Sequence, residues 1–297
     1  MCGIVGLFIK NPALESQLGA LVAPMLAEMT ERGPDSAGIA IYRDPHESGC
    51  KISVLAQNSS FDWNALEVAI KEFFSLKKIV VVHNQAVLFV DSEINKVQDW
   101  LYNNYSELSV ISAGTSIEIF KGKGNPLDFI EKFDIKGMSG THALGHTRMA
   151  TESAITTEHS HPFSTGQDLC LVHNGSLSNH NRLRETLRRR GVHFKTDNDT
   201  EVAAGYLSWR LSEGDDLDQA LNHAIDDLDG FYTFAIGTKD GFAVMRDPIG
   251  CKPAIMAETD DWAAMASEYR AIATLPGAEN ARIWEPEPTQ IYSWKRS

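Results

Sequence analysis

No stretch of this chain is long and apolar enough to cross a bilayer. The most apolar run, residues 78–90 (KIVVVHNQAVLFV), is interrupted by His83, Asn84 and Gln85, and it falls short of the roughly 20 residues that a spanning helix needs. The first ten residues, MCGIVGLFIK, place no basic residue ahead of their apolar ones, so no secretory leader is expected. Cysteine is scarce. The four present (Cys2, Cys50, Cys170 and Cys251) form no CxxC pair, which argues against a disulfide framework and a zinc site. Positive charge is also in short supply. Lys and Arg together number 27 against 40 Asp and Glu, a formal net charge of −13. A net acidic surface repels phosphate backbones, so nucleic acid is not an expected partner. The single basic run, RLRETLRRR at 182–190, mixes in apolar residues at helical spacing and reads as a solvated helix face. Low-complexity tracts and fixed-period repeats are missing too. The cytoplasm is the expected location.

What remains is a folded chain of 297 residues, 43% of them hydrophobic, enough to bury a large core. Residues 3–9 (GIVGLFI) are β-branched and apolar and predict a buried strand. Apolar residues at helical spacing over 12–31 predict an amphipathic helix that stops at Gly33-Pro34. A hairpin is expected over 38–56, around Asp44-Pro45. Residues 57–138 carry no chemistry-bearing motif and read as an insertion: helix 62–75, strand 78–90, helix 92–104, strand 108–120. A partner-docking surface is the functional alternative for this segment. Beyond 139 the pattern predicts strands at 142–150 and 169–175, then helices at 179–190, 199–213 and 216–228. Strands at 231–238, 242–247, 253–257 and 263–266 follow, then a short helix at 268–275 and strands at 281–284 and 290–294. Many strands with helices segregated from them imply a layered α+β fold rather than alternating βαβ units.

Four features carry chemistry. Cys2 follows the initiator methionine, and its neighbour Gly3 is small. Trimming of Met1 would leave a thiol and a free α-amine on one residue. An α-amine titrates at about 7.7 to 8.0, so it could serve as general base for the adjacent thiol. Alone, Cys2 would equally be a small buried hydrophobe. Arg148, in GHTRMATES at 145–153, lies in an apolar strand. Its planar fork of donors suits a carboxylate, or a structural ion pair. Asn174 and Gly175, in HNGSLSN at 173–179, could aim a side-chain amide and an unobstructed N–H at an oxyanion, or simply form a tight turn. Asp199, in TDNDTEV at 196–202, stands at a helix start, where the dipole favours it and where it could also hold an ammonium group. His142, His146, His159, His161 and His173 cluster in sequence, but without a His-x-x-x-His pair on a helix or interleaved carboxylates, and no metal site is expected.

MCGIVG, RGPDSAG, GHTRMAT, HSHPF, HNGSLSN and TDNDTE occur in this order. That ordered set resembles the glutaminase domain of class II glutamine amidotransferases, which are N-terminal-nucleophile hydrolases. The resemblance covers residues 2–56 and 139 to about 270, taking in RDPIGCKP (246–253) and ASEYRAI (266–272). It implies an αββα sandwich of two antiparallel sheets, here a single domain over 1–297 interrupted by the insertion at about 57–138. It implies Cys2 as nucleophile, with Asn174 and Gly175 as the oxyanion hole. Arg148 would hold the glutamine α-carboxylate with Thr151 nearby, and Asp199 the α-ammonium. Arg32 would lie in the loop that closes over glutamine, and His161 would line the pocket. Met149 stands where compact members often carry an aromatic residue.

No synthase domain is expected within this length, so ammonia would pass to another chain. The domain content is similar to the amidotransferase subunit of N-methylglutamate synthase and related glutamate synthase-like complexes. That resemblance implies a flavin subunit carrying FMN and iron–sulfur clusters, a third chain like the C-terminal domain of glutamate synthase, and no cofactor in this chain. The alternatives are an amidase acting on another γ-glutamyl amide such as N-methylglutamine, a penicillin-acylase-like amidase acting alone, and a catalytically silent subunit.

Overall fold

The computed structural model describes residues 2–149 and 156–296. Its centre is strand β1 (Gly3–Ile9), every residue of which is buried. Alternation explains why the run is apolar throughout. Ile4 and Phe8 face one layer, whereas Val5, Leu7 and Ile9 face the other, so both faces of the strand are covered.

β1 pairs antiparallel with β8 (His142–Arg148) and β13 (Trp262–Ala266). With β2 (Ser36–Tyr42), β7 (Ile117–Lys123), β12 (Ile255–Glu258) and β14 (Arg282–Trp284), these strands make a seven-stranded sheet in the order β14-β12-β13-β1-β8-β2-β7. A second sheet joins β9 (Cys170–Leu177), β10 (Gly230–Thr238), β11 (Gly241–Arg246) and β15 (Ile291–Lys295) in the order β15-β11-β10-β9. Ile4, Leu144, Val172, Ala235, Phe242 and Met265 fill the space between the two sheets. On the outer face of the first sheet lie α1 (Leu18–Ala27), α4 (Pro126–Lys132) and α8 (Tyr269–Ile272). The outer face of the second packs on α5 (His180–Arg188), α6 (Asp199–Ser212) and α7 (Leu217–Asp227). This is the αββα sandwich that the resemblance implies.

Gly6 marks how closely the sheets approach. A Cβ there would come within 2.6 Å of the Phe242 ring. Gly6→Ala is therefore expected to cost about 1–3 kcal/mol by overpacking, read as a lower urea midpoint at unchanged slope. A midpoint equal to the parent's would mean that Phe242 yields freely.

A third sheet is separate. It comprises β3 (Cys50–Ala56), β4 (Ser75–Val82), β5 (Gln85–Asp91) and β6 (Leu108–Gly114) in the order β4-β5-β3-β6, all antiparallel. Helices α2 (Trp63–Phe73) and α3 (Ile94–Asn104) complete a β-α-β-β-α-β unit of ferredoxin-like order. Its own core includes Ile52, Val54, Leu66, Ile70, Leu88 and Val97.

Four expectations change here. β2 and β3 do not form the hairpin expected over 38–56, because β2 pairs with β7 and β8, and β3 with β5 and β6. The run 78–90 is two strands rather than one, turned at His83, whose φ is +56°. The strand expected over 108–120 divides between two sheets. The carboxylate of Asp168 closes that corner by accepting from the N–H groups of Thr115, Ser116 and Ile117 at 2.7–3.0 Å. Finally, the separate unit begins at β3 and ends at β6, whereas β7 and α4, read as part of the insertion at about 57–138, belong to the first sheet and its helix layer. Side chains fasten the unit to the edge strand β7. Gln85 bonds the backbone N–H and carbonyl of Lys121 at 3.1 and 2.6 Å, Ser53 accepts from Ile119 N–H, and Lys51 pairs with Glu118 at 3.0 Å.

No described helix is long and apolar enough to cross a membrane.

Candidate active site

Cys2 precedes β1 at the end where β8 finishes with Arg148. Gly3 is opposite Thr147, and Arg148 is opposite Ser36 of β2. Gly3 is required at this crossing, since a Cβ would meet Met29 Cβ and Thr147 Oγ1 at 2.7 Å. Cys2 itself is partly exposed. Its carbonyl accepts from two side chains that the sequence singled out: Arg32 Nε at 3.0 Å and Asn174 Nδ2 at 3.3 Å. Residues 2, 32 and 174 thus converge from three separate segments. Arg32 is held from behind by Glu268, whose carboxylate lies 2.6 Å from Nη1. That pairing holds the Glu268 carboxyl below its ordinary range.

Asn174 is buried in β9, in register with Thr233. Gly175 follows with φ +148°, and a Cβ there would strike the Phe231 carbonyl oxygen. Only glycine fits, which leaves its backbone unshielded beside Asn174. Arg148 is buried, and its Nη1 donates to the His159 carbonyl at 3.2 Å. Thr151, expected beside it, lies outside the described residues.

Asp199 opens α6, capped by Asn198, whose side chain accepts from Thr200 N–H at 2.8 Å. One Asp199 carboxylate oxygen accepts from Leu177 N–H at 2.9 Å, and the other lies 3.7 Å from His173 Nδ1. Among the described residues, no lysine or arginine pairs with it. A partly exposed carboxylate remains at a helix N-terminus, two residues of β9 away from Gly175.

The sequence reading missed His173 and Thr200 as site residues. The Thr200 hydroxyl sits between His161 Nε2 at 2.7 Å and His173 Nδ1 at 2.9 Å. His146 Nε2 bonds the His173 carbonyl at 3.1 Å, and the His146 and His161 rings lie 4.0 Å apart. Burial pushes His146 down to about 3, drives His161 well below its ordinary value, and lowers His173 against the opposing pull of Asp199. Three neutral imidazoles therefore back the site, carrying no charge at neutral pH. The sequence signals for this layer were His161, expected to line the pocket, and the histidine cluster, weighed there as a metal site and set aside. Among the described residues, no group of three His, Cys, Asp or Glu could hold a metal ion.

Residues 146–274 match the family described as "Glutamine amidotransferase domain". The chain is 52% identical over 295 residues to the "Glutamine amidotransferase-like protein GlxB" of Rhizobium meliloti, covering 99% of this chain and 98% of that protein. It is 34% identical over 174 residues to the amidophosphoribosyltransferase of Archaeoglobus fulgidus, covering 58% of this chain and 38% of that one. Among solved structures, the glutamine phosphoribosylpyrophosphate amidotransferase of B. subtilis, complexed with ADP and GMP, superposes with a TM-score of 0.61 at 20% identity. The alignment covers 99% of this chain and 49% of that one, so the chain spans about half of that protein. At this identity the likeness concerns the fold alone.

Proposed function

The chain belongs to the class II glutamine amidotransferases, and from that premise we propose that it hydrolyses the glutamine side-chain amide at Cys2 and delivers the ammonia to a partner chain. The observation that carries this reading is the convergence of Asn174 and Arg32 on the backbone of Cys2. In the proposed cycle, Met1 is removed and the freed α-amine takes the thiol proton. The thiolate attacks the amide carbon, and the oxyanion is held by Asn174 Nδ2 and Gly175 N–H. The amine returns its proton to the leaving ammonia. Water then hydrolyses the thioester to glutamate.

Glutamine would be held at both ends of its amino-acid group: the α-carboxylate on Arg148, with Thr151 beside it, and the α-ammonium on Asp199. Arg32 would close over the substrate, and His161 would line the pocket wall. The open side of Asp199 supports its role. Asn at 199 keeps an oxygen for Leu177 N–H but loses the charge. Asp199→Asn is therefore expected to raise KM for glutamine on the order of 10- to 100-fold with little change in kcat. Steady-state kinetics showing an unchanged KM would remove Asp199 from substrate binding.

For the ammonia acceptor, we propose a glutamate synthase-like flavin subunit carrying FMN and iron–sulfur clusters, together with a chain like the glutamate synthase C-terminal domain, as in N-methylglutamate synthase. The resemblance noted in the sequence supports this assignment. The test of the core reading is glutamine-dependent ammonia release by protein whose intact mass shows Met1 gone. Equal amounts of ammonia and glutamate are expected. Trimmed protein that releases neither, alone or with the partner chains, would overturn it. Amide-labelled [15N]glutamine supplied to the assembled complex tests the transfer, with label expected in the partner's product.

A further inference from the structure

Away from Cys2, the inward side of β7 meets β6 of the separate unit and residues 158–164. A cavity of about 370 Å³ lies in this seam, walled by Tyr105, Leu108, Ile111, Phe163, Glu158 and Lys121. Lys121 is only 3% exposed. Its ammonium stands 4.4 Å from the centre of the Phe163 ring, and among the described residues it has no oxygen partner. The carboxylate of Glu201, which also lines the cavity, is already engaged: it accepts from Lys195 N–H at 2.9 Å and from Thr196 N–H and hydroxyl at 2.8 Å. Lys195, also on the cavity wall, donates its ammonium to the Val110 carbonyl. Glu158 accepts from Ser109 Oγ at 3.1 Å and has no basic partner among the described residues.

A buried cation without a directly bonded counter-ion is costly, and the through-space charges of Glu201 and Glu158 offset only part of that cost. Burial accordingly drives the Lys121 ammonium down to about 7. The charges of Glu201 and Glu158 reach Lys121 through space, but no carboxylate hydrogen-bonds its ammonium among the described residues, so the cavity offers an ammonium and the Glu158 carboxylate, each without an ion-pair partner, beside an apolar and aromatic wall. An anion alone would satisfy Lys121 but would be repelled by Glu158. A zwitterion satisfies both.

We propose that this cavity binds a free α-amino acid with an apolar side chain: its carboxylate on Lys121, its ammonium on Glu158, and its side chain against Leu108, Ile111 and Phe163. Glu158 adjoins His159, whose carbonyl holds Arg148. Occupancy would therefore bear on glutamine binding, a consequence that rests on the proposed function, whereas the binding itself does not.

Calorimetric titration of the full chain with L-leucine, L-phenylalanine and the carboxylate-only probe 3-phenylpropionate tests the assignment. At least one of the two amino acids is expected to bind. Lys121→Met should weaken every probe about tenfold or more, and Glu158→Gln should weaken the amino acids by a similar factor while sparing 3-phenylpropionate. Lys121→Met removes a buried charge and should stay folded, which its melting transition checks; Lys121→Gln serves as the second variant. Absence of binding by all three probes at millimolar concentration would overturn the site. So would binding that survives both Lys121 variants, or that is lost in Asp199→Asn and kept in Lys121→Met, which would place the ligand at the Cys2 site. Binding with no change in KM for glutamine would overturn the coupling to Arg148 alone.

Discussion

Cys2→Ala is expected to lower glutamine hydrolysis at least about 10⁴-fold, to the background of the assay. The size of the effect follows from the absence of a substitute. A nucleophile here must be exposed, ionisable near neutral pH and beside the oxyanion donors. Cys50 and Cys170 are buried, and burial pushes their thiols up to about 11 and about 12. Cys251 is exposed, but it lies in the loop after β11, and among the described residues no hydrogen bond joins it to the Cys2 cluster. Water could still attack a bound amide, but without covalent catalysis and without the α-amine paired to its own thiol. Cys2→Ser separates these contributions. It keeps the amine and an oxygen nucleophile, so it should retain more activity than alanine and less than the parent. The assay is ammonia release on trimmed protein, with the melting transition recorded to confirm the fold. An alanine variant that keeps a tenth of the parent rate would remove Cys2 as nucleophile, because no background route is that fast.

How much of this could be read in advance depended on how local each cause was. β1 was legible because seven consecutive buried residues require an apolar run and nothing else. The helices α6 and α7 have local start signals: Asn198 caps α6, and Asp216 with Gln219 forms a capping box on α7. The hairpin around Asp44-Pro45 failed for the opposite reason. A turn signal was present, but β2 finds better partners about 75 to 110 residues away in β7 and β8, and tertiary pairing overrides a local turn. The corner at Gly114–Ile117 was hidden because the residue that closes it, Asp168, lies some fifty positions downstream.

The site divides in the same way. Cys2, Arg148, Asn174, Gly175 and Asp199 each sit in a short motif that the sequence alone singles out, although each motif also has a structural use. Thr200 and His173 act through contacts between segments, and Glu268 gains meaning only when Arg32 reaches it. No spacing rule would have paired residue 32 with residue 268.

Asn174→Ala should lower kcat for glutamine on the order of 10²- to 10³-fold with KM nearly unchanged. An oxyanion donor acts on charge that develops only as the thiolate adds, so its removal is felt in the transition state and hardly at all in substrate binding. The alternative is that Asn174 matters only by holding the Cys2 carbonyl, to which it donates at 3.3 Å. Arg32 Nε donates to the same oxygen at 3.0 Å and would still do so in the variant. Loss of that one bond therefore leaves Cys2 anchored and should change kcat modestly. Asn174→Asp sharpens the distinction. It preserves the shape of the side chain but replaces a donor with a negative charge beside a developing anion, so it should be at least as damaging as alanine. Arg32→Ala tests the other anchor, and it should raise KM more than it lowers kcat if Arg32 closes over substrate. Should Asn174→Ala leave kcat at the parent value, the oxyanion role fails. Should it raise KM at constant kcat, Asn174 binds the ground-state amide, and Gly175 N–H is left as the donor for the tetrahedral intermediate.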